Sequence, residues 1–233
     1  MRHYNYFLAL CLPLLFFSAG LAQQNANELI QAVYSKMQKV KDYSVQANIK
    51  VDMPFIRILP VEVTIYFKQK DKFKVKSESI AIVPRQGFDQ IQKMLADANS
   101  FTCMIQGEEK IGVIQTTIMN VIPLSDTSEM ILGKFWIDPV QLVILKSQLT
   151  TRSSGTIVTE YSYGDQLEYG LPDQMIFSID ANKFRMPKNI TDEMNTSNTG
   201  KADKSNENKK GKIYIVLTNY QVNKGIPDSV FTK

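Results

Sequence analysis

Apolar and polar residues alternate one for one along much of this chain. From Tyr43 to Asp52, Tyr43, Val45, Ala47, Ile49 and Val51 fall on one side and Ser44, Gln46, Asn48, Lys50 and Asp52 on the other. Val61, Val63, Ile65 and Phe67 repeat the pattern against Glu62, Thr64 and Lys68, and Phe73 and Val75 continue it against Lys72, Lys74 and Lys76. A period of two sends successive side chains to opposite faces of a strand, so these are antiparallel strands with one face in water and one hidden. The same reading predicts strands over Phe101–Gln106, Gly112–Ile122, Met130–Asp138, Leu142–Thr150, Ile157–Tyr163, Gln174–Asp180 and Lys212–Tyr220. Turns are expected at Gly107-Glu108-Glu109, Asp138-Pro139, Ser153-Ser154-Gly155 and Gly170-Leu171-Pro172.

Two stretches change period. In Asn25–Val40 the apolar residues Leu29, Ile30, Val33, Tyr34, Met37 and Val40 recur at spacings of three and four, with Asn27 as the expected cap. Gln86–Ala98 does the same with Phe88, Ile91, Met94, Leu95 and Ala98. Helices that come first and midway, not between successive strands, exclude a parallel α/β sheet. The fold class is therefore α+β. A single curved antiparallel sheet of about ten to eleven strands forms an unclosed β-barrel, with two amphipathic helices as a lid on its concave side. Met53–Pro60 is unusually apolar for a connection, carrying Phe55, Ile56, Ile58 and Leu59. It reads either as a loop tucked under the sheet edge or as a flap over a cavity.

The two ends of the readable pattern need separate treatment. Met1–Ala22 has Arg2 at its start, an apolar run over Phe7–Phe17 and small residues at Gly20 and Ala22, which reads as a cleaved secretory signal peptide. The apolar run is short of the ~20 residues that span a bilayer. Residues 23–233 are then read as one domain. Within it, Asn189–Gly211 is almost all Asn, Thr, Ser, Lys, Asp and Glu and cannot bury enough surface to offset the entropy of ordering, so a disordered insertion is expected at 189–211.

Composition now narrows the chemistry. The chain holds one histidine and two cysteines, and the signal peptide takes His3 and Cys11 with it, leaving Cys103. Histidine-based triads, histidine-ligated zinc and an intramolecular disulfide are excluded from the exported chain. The formal charge falls from +4 to +3, since the signal carries Arg2 and no acid, and the lysines are spread among acids, so no nucleic-acid footprint is expected. Lys68, Lys70, Lys72, Lys74 and Lys76 fall at every second position, which in a strand means one solvated face; the competing reading is a patch for an anionic headgroup or acidic partner. The sequence offers no G-x-S-x-G elbow, phosphate loop or metal-ligand spacing. Glu108-Glu109 is the most visible carboxylate pair, but neighbours in a turn point apart. Cys103 sits in an apolar strand context and reads as a small hydrophobe. Trp136, the single tryptophan, is either a core residue or a cavity wall, and Tyr161, Tyr163 and Tyr169 invite the same question. No catalytic, cofactor-binding or metal-ligating set emerges, and the expectation is a binding protein that is not an enzyme.

The order of these features resembles a known family. An amphipathic helix follows a signal peptide without a lipobox; lysine-rich alternating strands come next, then Phe135-Trp136-Ile137-Asp138, Tyr161-Ser162-Tyr163, Leu171-Pro172 and a terminal stretch from Asn219 through Gly225-Ile226-Pro227-Asp228 to Phe231. Together they resemble the periplasmic outer-membrane lipoprotein carriers, the LolA-like sorting proteins, in their Bacteroidota form. The resemblance implies an open barrel with a helical lid and an apolar cavity for lipoprotein acyl chains. It also implies a periplasmic monomer that takes cargo from an inner-membrane release complex to an outer-membrane acceptor. The better-known carriers have an arginine in the early strand region that helps hold the lid; here Tyr66–Lys76 offers only lysines. Val45, Ala47, Ile49, Val63, Ile65, Phe67, Met94, Leu95 and Trp136 are the expected cavity lining. A buried methylene contributes ~0.8 kcal/mol, so one sixteen-carbon chain gives on the order of 10 kcal/mol gross. Alternatives are a lipid- or lipoprotein-sensing module of the same fold and a carrier of lipids that are not protein-linked.

Overall fold

The computed structural model describes residues 25–53, 56–57, 59–69, 72–77, 91, 95–153, 155–180 and 210–232. Helix α1 covers residues 25–37. Eleven strands follow: β1 (Asp42–Met53), β2 (Ile56–Arg57), β3 (Val61–Lys68), β4 (Lys72–Ser77), β5 (Phe101–Ile111), β6 (Ile114–Pro123), β7 (Met130–Asp138), β8 (Val143–Thr151), β9 (Gly155–Ser162), β10 (Gln174–Asp180) and β11 (Lys210–Val222). They form one sheet in the order β4-β3-β1-β11-β10-β9-β8-β7-β6-β5, with the short β2 folded back on β1. Every pairing is antiparallel. Strands β4 and β5 end the row without meeting each other, so the sheet is curved but unclosed.

The last strand of the chain lies in the interior of the sheet. β11 is hydrogen-bonded to β1 on one side and to β10 on the other, and so joins the β1–β4 half to the β5–β10 meander. Alternation does what the sequence predicts. Along β1, Val45, Ala47, Ile49, Val51 and Met53 are buried, while Gln46, Asn48, Lys50 and Asp52 are exposed. Fully burying such a side chain contributes about 1.5–3 kcal/mol, which fixes the register, because a slip by one residue would turn the whole set into water.

The hidden face carries two apolar clusters. One is built on β1, β3, β9, β10 and β11 with Val40 and Leu171. The other joins Ala26, Ile30, Val33 and Met37 of α1 to Phe101, Cys103, Met119, Val121, Phe135, Ile137, Ile144 and Leu149 of β5–β8. Ile91 and Leu95, both in helical conformation, are buried in this second cluster; the rest of the predicted second helix up to Met94, the segment read as a signal peptide and the polar stretch from 189 to 209 lie outside the described residues. Gly133 is required on β7: a Cβ there would meet the Phe135 ring at 2.7 Å, and that ring is completely buried.

Three sequence expectations need correction. Gly107-Glu108-Glu109 is not a turn: β5 runs through it, Gly107 absorbs a β-bulge at φ 153°, and the hairpin turns at Gly112-Val113. Asn27 does not cap α1. It lies within the first turn, where its side-chain oxygen accepts from the Cys103 thiol at 3.0 Å. The lysine row is more than a solvated face, since three of its members hold the end of the chain. Lys68 and Lys72 both reach the Asp228 carboxylate at 2.7 Å, Lys68 also donates to the Ile226 carbonyl, and Lys74 donates to the Thr232 carbonyl. The same terminal segment is tied to the root of α1. The Asn223 side chain donates to the Lys39 carbonyl and accepts from the Lys41 N–H, and Gly225 N–H donates to the Asp42 carboxylate.

Candidate functional site

The apolar floor arises from strand register. Val45, Ala47 and Ile49 of β1 stand opposite Ile65, Val63 and Val61 of β3. On the other flank Ala47, Ile49 and Val51 stand opposite Leu217, Ile215 and Ile213 of β11, and the last two of these face Met175 and Phe177 of β10. Directly opposed side chains on one face lie close enough to pack, so four neighbouring strands make one continuous apolar surface. Phe67 closes one end of it, stacked on Tyr43 with ring centroids 5.2 Å apart, and Tyr43 meets Tyr220 edge-on at 5.8 Å. Six of the residues expected to line a cavity, Val45, Ala47, Ile49, Val63, Ile65 and Phe67, thus come together in one cluster.

Of the other three, two are described and both lie elsewhere. Leu95 is buried in the second cluster beside α1, and Met94 lies outside the described residues. Trp136 is on the opposite face of β7 from Phe135 and Ile137. Its indole N–H donates to the Glu109 carboxylate at 2.8 Å, and the ammonium groups of Lys134 and Lys146 lie 4.9 and 4.5 Å from the ring centre. Such cation–ring contacts, together with the lysine stems, explain how an outward tryptophan is only 4 % exposed. Glu108, its sequence neighbour's supposed partner, accepts instead from Gln115, so the two carboxylates do not act together.

Where the two clusters meet, the floor carries hydroxyls. Ser147 of β8 and Thr159 of β9 are directly paired on the hidden face, between Phe135 of one cluster and Phe177 of the other. Both are fully buried, and the Ser147 hydroxyl shares a 3.0 Å hydrogen bond with the Tyr161 hydroxyl. Tyr163 donates to the Ile144 carbonyl at 2.8 Å and Tyr220 to the Pro172 carbonyl at 2.8 Å. Burial pushes the Tyr161 phenol above its ordinary pKa, with Ser147 and Thr159 opposing the shift; burial raises Tyr163 well above it, and Tyr220 likewise. Burial also pushes the Cys103 thiol up, which keeps it protonated and unreactive. The hydroxyl seam was not recognised in the sequence. Its signal is a Ser and a Thr at inward positions of strands whose other inward residues include Ile144, Leu149, Ile157 and Tyr161.

Two hollows flank these features. A small one of about 20 Å³, room for one water molecule, lies under α1 between Val33, Met37, Ile91, Ile144, Tyr161 and Tyr163. A wide open groove of about 550 Å³ runs over the other face of β1 and β3, bordered by Gln46, Asn48, Glu62, Thr64, Tyr66 and Thr218. Among the described residues no three His, Cys, Asp or Glu side chains are grouped to hold a metal ion, and no described helix is long and apolar enough to cross a membrane.

An unclosed antiparallel sheet with a helix on its apolar face defines a class of folds whose interior is reached past unpaired edges. The known structures make the class specific. A putative outer membrane lipoprotein-sorting protein domain from Vibrio parahaemolyticus overlays with a TM-score of 0.59 and 9 % identity, over 90 % of this chain and 97 % of that one. A DUF1329 family protein from Desulfovibrio piger gives 0.57 and 11 %, over 91 % and 97 %. A LolA superfamily protein from Nitrosomonas europaea gives 0.49 and 13 %, over 87 % and 97 %. The fold of this chain is that of the first two of these structures. No family model and no curated protein matches the sequence.

Proposed function

We propose that this protein is a periplasmic carrier, not an enzyme, that shelters the acyl chains of lipoproteins against its apolar floor and passes them from the inner to the outer membrane. The observation that carries this reading is the continuous apolar surface of β3, β1, β11 and β10 in a sheet that leaves both end strands unpaired among the described residues. A closed barrel would have to break hydrogen bonds to admit a chain; an open one exchanges helix and side-chain contacts for lipid contacts. The residues that would line the shelter are Val45, Ala47, Ile49, Val63, Ile65 and Phe67, with Leu95 from the second cluster; Met94 is kept in the proposed set from the sequence alone. Trp136, on the other face, drops out of that set. An inner-membrane release complex and an outer-membrane acceptor are the partners this job requires. Export by cleavage after Ala22 and a monomeric single-domain chain over 23–233 complete the proposal.

The test is native mass spectrometry of the protein purified from the periplasm, with photo-crosslinking from a benzoylphenylalanine at Ile65. A bound acylated peptide, and a lipid adduct at position 65, is the expected result. Phospholipid alone would move the job to lipid transport. An empty protein that takes up no acyl probe would overturn the carrier reading.

A further inference from the structure

Thr159 is the point in the hidden face that packing does not explain. It is 1 % exposed, and its hydroxyl has no hydrogen-bond partner in the structure. It lies near enough to the Tyr161 hydroxyl to influence it, but without the geometry of a hydrogen bond. A buried hydroxyl left unpaired costs about 1–3 kcal/mol, and a valine of the same shape would avoid that cost. The hydroxyl also stands in a particular place. Ser147 is directly opposite, the Tyr161 hydroxyl is bonded to Ser147, and the Tyr161 ring lines the hollow under α1. Three hydroxyls are thus gathered on the line where two otherwise apolar clusters touch. A hydrocarbon tail has nothing to offer them. A carbonyl oxygen does: it is an acceptor without a proton, matched to a donor with no acceptor.

We infer that Thr159, with Ser147 and Tyr161 beside it, is the subsite that receives the carbonyl oxygen of an ester- or amide-linked acyl chain, so that the protein selects acyl groups over plain hydrocarbon. The inference rests on the carrier reading and deepens it. Bound cargo would place its chains on the two apolar clusters and its acyl linkage at the seam between them, with the Thr159 O–H donating to the carbonyl. Discrimination comes from the unbonded state: an ether-linked chain of equal length fills the same space but leaves the buried donor unpaired.

The experiment compares two probes on the chain over residues 23–233: dipalmitoyl phosphatidylglycerol, which is ester-linked, and dihexadecyl phosphatidylglycerol, its ether counterpart. Affinity is read by displacement of a fluorescent fatty acid. The wild-type protein should bind the ester about tenfold more tightly than the ether, the size of one well-made buried hydrogen bond. Thr159→Val should abolish that preference by weakening the ester alone and should not melt below the wild type; Thr159→Ser should keep the preference, although the loss of a buried methyl lowers its melting temperature by a few degrees. Equal wild-type affinities, or a Thr159→Val variant that loses both probes alike, would overturn the subsite while leaving the carrier reading in place. Failure of the wild type to take up the fluorescent fatty acid as well as both probes would overturn the carrier reading and the subsite with it.

Discussion

At the scale of the residue, the decisive question is which face of a strand a side chain occupies. Trp136 shows how little its identity says about that. An indole in an apolar run, Phe135-Trp136-Ile137, reads as interior, yet β-alternation assigns Phe135 and Ile137 to the core and turns Trp136 outward onto Lys134, Lys146 and Glu109. Its stability role and any binding role therefore separate. Trp136→Phe keeps a ring on the two lysines but deletes the bond to Glu109, and should cost about 1–3 kcal/mol in urea unfolding. It should leave acyl-probe affinity unchanged. Because Trp136 is the sole tryptophan, the wild-type emission maximum should also stay put as lipid is taken up. A marked shift on uptake would mean that the lipid reaches the outward face.

At the scale of the element, the terminal segment after β11 is a strap held by charge. The hydrogen bonds from Lys68 and then Lys72 hold the Asp228 carboxyl down at a pKa of about 2. An unfolded aspartate titrates at about 3.9, so the folded state favours the ionised form. The contribution is complete above the unfolded value and is lost as the pH falls through about 2. The pair is solvent-exposed and weakens with salt. Protection factors for the amides of residues 223–232, with the observed exchange divided by the intrinsic rate at each pH, should therefore be high at neutral pH and fall towards pH 2, whereas Asp228→Asn should show low protection throughout. No change on that substitution would mean that Asn223 and Gly225 hold the segment alone.

This strap also marks the boundary of what could be read from the chain. Ten strands were legible because a sheet with one wet face writes a period of two into every segment, and α1 was legible from its period near three and a half. Gly107-Glu108-Glu109 misled because a bulge glycine and a turn glycine look alike in sequence. Lys68 and Asp228 are 160 positions apart, and nothing periodic links them. For the site, Val45, Ala47, Ile49, Val63, Ile65 and Phe67 were legible as one inward set by alternation. The hydroxyl seam was not, since Ser147 and Thr159 become a pair only when β8 registers against β9.

At the scale of the whole molecule, the connection between β10 and β11 begins and ends at a paired position, Asp180 opposite Lys210. The intervening chain therefore closes a gap that a short turn can bridge. Replacing residues 191–209 with a tight glycine-containing link should leave the melting temperature within a few degrees of the wild type, about the effect of less than 1 kcal/mol. A large drop in a thermal melt would show that the polar stretch contributes to the sheet's cover.

The position of β11 has one more consequence, and it concerns time. Strands β1–β4 emerge first and the β5–β10 meander next, but the two halves share no strand pairing until residues 210–222 have arrived to lie between them. Such distant pairing is slow, because loop closure precedes any reward. The chain therefore cannot complete its sheet while its tail is still being made. β11 is thus the keystone, and the arch locks only once that strand has been laid between the two halves.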